Sequence, residues 1–288
     1  MFSTDSPPSG GIPSFPCYRT VEETYESARL LALNNPEIVS WINIGKSTEK
    51  ENSDSASGTG YDMFALKIAN EGGGDRDISS KPVFLATCAI HAREYPTAEL
   101  CTRFAEYLVN GYDTNPDITT LIDHHEIHFI LQANPDGRKM AEDGELWRKN
   151  TNSAYLEQIG GVESCFNFFE DDGFSGHGIG VDLNRNFPFH WKGVPDTPPN
   201  PPLPPSECFS KYPGPESESE SETQAIMNYA RKIFPDSQRI QNSEVNPYPG
   251  DATGVALDIH SYGEYVVFPW SFTVSKHAPR QGYFDSFD

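Results

Sequence analysis

A histidine and a glutamate stand three residues apart in Ala89-Ile90-His91-Ala92-Arg93-Glu94-Tyr95, directly after an apolar run. That run, residues 82–88, is typical of a fully buried strand. At the end of such a strand His91 and Glu94 can both turn toward one point, and both side chains are ligands that zinc accepts in proteins. A single His-x-x-Glu pair is a weak signal in a chain with eight histidines, so the hypothesis of a metal site needs further ligands.

The third ligand should come from the end of a different strand. A catalytic zinc usually has three protein ligands, and open α/β sheets build their sites at the carboxyl edge of their strands. His260 is the best candidate, because it ends a predicted strand at residues 255–260. The other histidines fit less well, since they fall at a strand start, in glycine- or aromatic-rich loops, or in a polar tail: His124, His125, His128, His177, His190 and His277.

Strands and helices alternate around these residues. Apolar patterns predict further strands at residues 38–45, 61–69 and 126–133 and another from Glu264, and helices at 22–34, 96–112 and 223–234. In the helix 96–112, Leu100, Phe104 and Leu108 repeat at four-residue spacing on one apolar face. The order of elements predicts a layered α/β domain with a partly parallel sheet.

Between these elements several polar segments are predicted to be loops. Residues 47–60 are rich in serine, glycine and charge and indicate a long flexible hairpin loop. Asn134-Pro135-Asp136-Gly137 is a strong turn signal. The Glu/Ser run 216–222 is interpreted as a solvated loop that leads into the next helix, with Ser221 as its cap.

Length and charge limit the kind of protein this is. The 288 residues can form one large domain with a substantial core. The formal net charge of -21 argues against nucleic acid or an anionic membrane surface as a partner. No apolar run approaches the roughly 18 residues that a membrane span needs. Residues 1–16, rich in Ser, Pro and Gly, are predicted to be a disordered lead-in without the features of a signal peptide, and residues 17–288 to be the domain.

The five cysteines do not define a disulfide scaffold by themselves. Cys88 lies in an apolar strand and Cys101 on an apolar helix face, so both are predicted to be buried thiols. Cys165 and Cys208 lie in polar loops, where a disulfide is more plausible.

Several motifs in one order extend this pattern. After His91-x-x-Glu94 come Trp147-Arg148-Lys149, Asp182-Leu183-Asn184-Arg185-Asn186 and Asp258-Ile259-His260-Ser261-Tyr262. Together with Asn134-Pro135-Asp136-Gly137 and Ser221-Glu222-Thr223-Gln224-Ala225, this set resembles the zinc metallocarboxypeptidases of the carboxypeptidase A/B type. The similarity spans roughly residues 15–270. It implies a three-layer α/β/α fold with a mixed, mostly parallel central sheet, lacking the last strand and helix.

The resemblance also implies a role for each matched residue. His91, Glu94 and His260 match the ligands of one Zn²⁺ ion. Arg148 matches the catalytic arginine that stabilises the oxyanion, and Asp182 matches the carboxylate that orients the first zinc histidine. Residues that match substrate-binding positions are Asn184 and Arg185, which grip a terminal carboxylate, and Ser261 and Tyr262, which line the neighbouring subsites. Cys165 and Cys208 match a disulfide pair of animal members.

The chemistry of these residue types agrees with that reading. Zinc acts as a Lewis acid and lowers the pKa of bound water, which peptide hydrolysis requires. A guanidinium such as that of Arg185 binds a carboxylate through two parallel hydrogen bonds, which suits recognition of a free chain end. The resemblance and this chemistry together lead us to expect hydrolysis of the C-terminal peptide bond of peptides or proteins by a monomer. The disulfide pair that the resemblance implies for Cys165 and Cys208 indicates an extracellular or other oxidising compartment.

Two departures from the resemblance change the expected function: the first lowers the expected turnover, and the second concerns the binding of extended substrates. The family places its general-base glutamate well beyond the third zinc ligand, whereas 28 residues follow His260 here and none after Glu264 is a glutamate. Glu264 itself is too close to His260 to be assigned that role. Glu145 stands where animal members have an arginine near the substrate path. The 288 residues are therefore expected to bind zinc and a carboxylate with little turnover. The alternatives are a non-catalytic module that binds zinc and peptide C-termini, and a related zinc amidase or deacylase.

Overall fold

The structure, a computed structural model, describes residues 10–52, 60–72, 81–161, 179–189, 191, 208–234 and 254–267. Five strands form one sheet in the spatial order β1-β2-β4-β3-β5. Their bounds are β1 Val39–Lys46, β2 Asp62–Ile68, β3 Val83–Cys88, β4 Glu126–Ile130 and β5 Gly254–Ile259.

The sheet is mixed. β1 and β2 pair antiparallel, and β2 also runs antiparallel to β4. β3 lies between β4 and β5 and is parallel to both. Because parallel neighbours end at the same edge, the carboxyl ends of β3 and β5 are brought together there.

Six α-helices accompany the described strands, and none of them is long and apolar enough to cross a lipid bilayer. Short 3₁₀ turns follow at Leu156–Ile159 and Leu183–Arg185. The helices are α1 Val21–Asn34, α2 Thr48–Asn52, α3 Tyr95–Gly111, α4 Pro116–His124, α5 Pro135–Glu142 and α6 Ser221–Ile233.

Two apolar cores, one on each face of the sheet, make the molecule three-layered. On one face, helices α1, α3 and α4 pack against the strands. Ala28, Leu108 and Ile122 are examples from the helices, and Phe129 is an example from β4. On the other face, α6 packs against β1 to β4 through residues that include Ile226. The predicted α/β/α architecture with a mixed sheet is therefore confirmed.

Two of the five Asn-Pro dipeptides, at residues 115–116 and 134–135, begin helices, which the sequence analysis did not predict. The side chain of Asn134 accepts a hydrogen bond from Gly137 N at 3.1 Å, so the predicted turn is the start of α5. Asn115 caps α4 in the same way through Asp117 N at 3.0 Å. Asparagine at the cap followed by proline in the first turn is a helix start signal, because proline lacks only an N–H that the first turn leaves unpaired.

Three further predictions differ from the structure: the loop at residues 47–60, the strand from Glu264 and the buried face of α3. The supposed hairpin loop contains the short helix α2, while residues 53–59 lie outside the described part. Glu264 to Val267 form no strand, and residues 268–270 are not described. In α3, Leu108 is buried as predicted, but Leu100 and Phe104 remain 59% and 40% exposed.

Ile12 and backbone hydrogen bonds anchor the otherwise mostly exposed amino-terminal segment 10–18. Ile12, which falls within the predicted disordered lead-in, is 1% exposed. Its N–H donates to Tyr18 O at 2.9 Å, and Gly11 N donates to Glu23 Oε1 at 3.1 Å. These contacts attach residues 10–18 to the start of α1.

Cys88 and Cys101 form a disulfide, so the prediction that both are free thiols was wrong. Both residues are buried, as expected. Helix α3 packs against the end of β3 and brings the two Cα atoms to 6.7 Å, within the range that a disulfide spans. The bridge closes the segment that contains His91 and Glu94.

Candidate metal centre

Three side chains converge where β3 and β5 end. His91 Nδ1 lies 2.9 Å from Glu94 Oε1, and His260 Nδ1 lies 3.0 Å from Glu94 Oε2. The three ligand atoms are within 4.8 Å of one another, and the described residues contain no second such group of His, Cys, Asp or Glu. The structure thus brings together all three residues that were predicted to bind the metal.

Local backbone geometry aims these side chains. β5 pairs with β3 in a register that places Ile259 beside Cys88, so the next residue, His260, stands next to the segment that follows β3. Ala89 has φ 58°, in the left-handed region, which turns the chain sharply before His91. Glu94 then precedes the first turn of α3.

The donor set suits zinc. Two imidazole nitrogens and one carboxylate are a common set of protein ligands at catalytic zinc. Burial acts to raise the pKa of Glu94, but hydrogen bonds from His260 and His91 outweigh it and hold that pKa far below its usual range. Burial acts to lower the pKa of His260, whereas Asp258 and Glu94 raise it to about 10. The ionised carboxylates around the two imidazoles therefore favour a cation between His91, Glu94 and His260.

Asp182 links His91 to Arg148. Its Oδ1 lies 3.2 Å from His91 Nε2, and its Oδ2 accepts hydrogen bonds from Arg148 Nε and Nη2 at 3.1 and 2.9 Å. Burial acts to raise the pKa of Asp182, but the hydrogen bond with His91 and the charge of Arg148 lower it to about 2. A fully buried, ionised Asp182 holds the ring of His91 with Nδ1 toward Glu94.

The residues matched to substrate binding lie at the open side of this cluster. Asn184 Nδ2 is 3.1 Å from His260 Nε2, and Arg185 is exposed beside it. Ser261 N donates to Glu94 Oε2 at 3.0 Å. Tyr262 is 88% exposed. Arg185 Nη1 donates to Asn184 O at 2.7 Å, so an exposed guanidinium follows directly after the residue that contacts His260 and can receive an anionic group.

Asn150 connects the segments behind the site, and the sequence analysis did not single it out. Its backbone N–H donates to Val181 O at 3.0 Å, and its Oδ1 accepts from Val181 N at 2.8 Å. Its Nδ2 donates to Glu220 Oε2 at 2.7 Å and contacts Glu222 Oε2 at 3.3 Å. The segments that carry Arg148 and Asp182 are therefore joined through one buried amide.

Glu220 and Glu222 correct another expectation. The Glu/Ser run was interpreted as a solvated loop, yet both side chains are 0% exposed. Glu222 accepts hydrogen bonds from Thr48 N and Oγ1, each at 2.8 Å, at the start of α2. Glu220, and not Ser221, occupies the cap position of α6. Charge-rich composition alone gave no signal for this burial, because the donors are distant in sequence.

Cys165, His177, His190 and His277 lie outside the described residues. Cys208 is part of a disulfide, and its predicted pairing with Cys165 stays a prediction. Of the remaining histidines, His128 is buried and contacts Tyr229 Oη at 2.8 Å through Nδ1, in the core rather than at the metal site.

Comparison with known proteins agrees with this geometry. The family model described as zinc carboxypeptidase matches residues 24–288. The chain is 27% identical over 269 residues to carboxypeptidase A2 of Rattus norvegicus, covering 93% of this chain and 50% of that protein. It is 30% identical over 241 residues to mast cell carboxypeptidase A of the same organism, covering 83% of this chain and 44% of that protein.

A solved structure shows the same fold. The chain is similar to the carboxypeptidase A from Helicoverpa armigera, with a TM-score of 0.58 and 25% sequence identity over 85% of this chain and 46% of that one. In all these comparisons the chain spans about half the length of the protein it matches.

Proposed function

Since this chain belongs to the zinc carboxypeptidase family, we propose that it binds one Zn²⁺ ion through His91, Glu94 and His260 and acts on the C-terminal peptide bond of peptides or proteins. The observation that carries the proposal is the convergence of these three ligands beside an exposed arginine, Arg185. A metal position for the scissile carbonyl, together with an arginine for the terminal carboxylate, suits a substrate that ends in a free carboxyl group.

Each neighbouring residue has a part in the proposed reaction. When bound, zinc would supply Lewis acidity and an activated water. Asp182 keeps a proton on Nε2 of His91, so that the Nδ1 lone pair faces the metal position. Arg148 is held by Asp182 with 14% of its side chain exposed, and its remaining N–H groups can stabilise negative charge that develops on the scissile carbonyl.

Substrate recognition is assigned to the exposed rim. Arg185 would bind the terminal carboxylate through paired hydrogen bonds, with Asn184 as a second donor. Ser261 and Tyr262 follow His260 directly and would contact the adjacent residue of the peptide. A free α-carboxylate as the recognised group favours a peptide over the small amides of a zinc amidase or deacylase.

We also propose that the 288 residues alone turn over little substrate. The support is the sequence, which contains no glutamate after Glu264. A module that binds zinc and peptide C-termini without hydrolysis would share this property. Work in an oxidising compartment is supported by the Cys88–Cys101 disulfide and by the second one that includes Cys208.

The test separates metal binding, carboxylate recognition and hydrolysis. The purified chain should bind one zinc per molecule, and His91→Ala should weaken that binding by at least about tenfold. A peptide with a free C-terminus should bind more tightly than its C-terminal amide, with the preference lost in Arg185→Ala. Equal binding of acid and amide would contradict the substrate class. Release of C-terminal residues that stops with chelator and in His91→Ala would contradict the proposed low turnover.

A further inference from the structure

Each of the two histidines proposed to bind the metal has a second carboxylate within hydrogen-bond distance of Nε2, the ring nitrogen that does not face the metal position. His91 has Asp182 at 3.2 Å from Nε2, as described above. His260 Nε2 lies 2.9 Å from Asp258 Oδ2, while its Nδ1 faces Glu94 Oε2. The second imidazole is therefore held between a carboxylate and the metal position in the same way as the first.

Strand geometry produces this contact. Asp258 and His260 are two residues apart at the end of β5, so their side chains project to the same face. β3 fixes the position of this end, because Thr87 pairs with Asp258 and Cys88 with Ile259. The carboxylate and the ring are thus aligned by the sheet and not by a loop.

The neighbours of Nε2 decide which ring nitrogen carries the proton. Asp258 offers only acceptor oxygens, and Asn184 presents its amide nitrogen, a donor, at 3.1 Å. The amide of Asn184 could donate only to an unprotonated Nε2, but Asp258 is charged and lies closer, at 2.9 Å, so the stronger hydrogen bond is the one that Nε2–H donates to Asp258 Oδ2. That tautomer leaves the Nδ1 lone pair free for a metal ion.

We propose that Asp258 is a positioning residue of the metal site, which holds His260 in the orientation and tautomer that bind zinc through Nδ1. This inference rests on the proposed function, because it requires His260 to be a zinc ligand. Asp258 does not touch the metal and acts through His260 alone. Groups that orient a metal-binding histidine in this way typically change metal affinity by about 10- to 100-fold.

The test measures zinc dissociation constants by competition with a coloured chelator, for the wild-type chain and three variants. Asp258→Ala should weaken zinc binding by about 10- to 100-fold. Asp258→Asn should lose less, because its amide oxygen still accepts a hydrogen bond from Nε2–H. Glu264→Gln, which removes an exposed carboxylate from the next segment, is the matched control and should bind as the wild type does.

Each outcome has one meaning. Failure of the wild-type chain to bind zinc would contradict the proposed function itself. Normal zinc affinity in Asp258→Ala would overturn the positioning role, and so would equal losses in the Ala and Asn variants, since only the charge would then matter. The visible spectrum of the Co²⁺-loaded chain gives a second readout, because it reports ligand geometry. It should change in Asp258→Ala and stay as in the wild type in Glu264→Gln.

Discussion

Arg148 and Asp182 form an ion pair whose carboxylate is completely buried. Two guanidinium nitrogens contact one oxygen, Asp182 Oδ2, at 3.1 and 2.9 Å, and the side chain of Asp182 is 0% exposed. The other oxygen, Oδ1, faces His91. The same carboxylate therefore orients a predicted zinc ligand and neutralises a predicted catalytic arginine.

Removal of Arg148 should destabilise the fold. Arg148→Ala leaves Asp182 buried without its cation, and we expect a loss of roughly 3 kcal/mol in the free energy of unfolding by urea. Arg29→Ala is the control, since Arg29 and Glu26 form a solvent-exposed pair, and this variant should lose much less stability than Arg148→Ala. The double change Arg148→Ala with Asp182→Asn should recover part of the loss, and strict additivity would contradict the pairing.

Asn150 should matter more for stability than its neighbour Asn152. Asn150→Ala removes donors from two buried glutamates, Glu220 and Glu222, and an acceptor from Val181 N, so we expect a loss of roughly 3 kcal/mol. Asn152, half buried, also donates to Glu220, at 2.9 Å, and its alanine variant should lose about 1 kcal/mol. Chemical denaturation of both variants measures the difference, and equal losses would show that Asn150 is not the connecting residue.

Ala89 should tolerate glycine better than any helical alanine does. A left-handed φ costs an L-residue about 1–2 kcal/mol, and glycine relieves this at an entropic cost of about 0.5–1 kcal/mol. Ala89→Gly should therefore leave the unfolding free energy unchanged or raise it by up to about 1 kcal/mol. Ala98→Gly in α3, at an equally buried alanine, should lower it by about 1 kcal/mol or more. A clear loss in Ala89→Gly would mean that the turn is held by other contacts.

Two buried carboxyls should make the fold less stable as the pH rises. Burial raises the pKa of Asp136 from 3.8 to about 6 and that of Glu222 from 4.5 to about 7. The folded state thus holds these protons more tightly than the unfolded chain. Their stabilising effect is complete below about pH 4 and is lost as the pH rises toward 7, by an amount on the order of a few kcal/mol.

Urea unfolding at pH 5 and pH 7.5, with chelator present, measures this effect. The double variant Asp136→Asn with Glu222→Gln should show a smaller fall in stability across that interval than the wild type. Glu37→Gln, at an exposed carboxylate, should keep the wild-type fall. The same dependence on pH in all three proteins would show that other groups cause it.

The sequence predicted the convergence of three side chains better than their surroundings. That His91, Glu94 and His260 come together could be predicted because ligand chemistry restricts residue types, and because strand ends in a parallel arrangement must meet; that they bind zinc stays a prediction. Glu220 and Glu222 could not, because their burial depends on donors at Thr48 and Asn150 that only the folded chain brings near. The two helix starts at Asn115 and Asn134 could be predicted only in part, because the same Asn-Pro dipeptide at Asn35 ends α1 instead. The Cys88–Cys101 bridge required the packing of α3 on β3, which apolar patterns do not specify.

That bridge also has a consequence for how the protein is made. It joins residues 13 apart in sequence and encloses His91 and Glu94, two of the three predicted ligands. In a newly synthesised, reduced chain, the thiols of Cys88 and Cys101 would compete for zinc, because thiolates are strong zinc ligands. Oxidation removes both competitors and fixes the ligand segment at once. We therefore expect metal loading to follow oxidation of this pair.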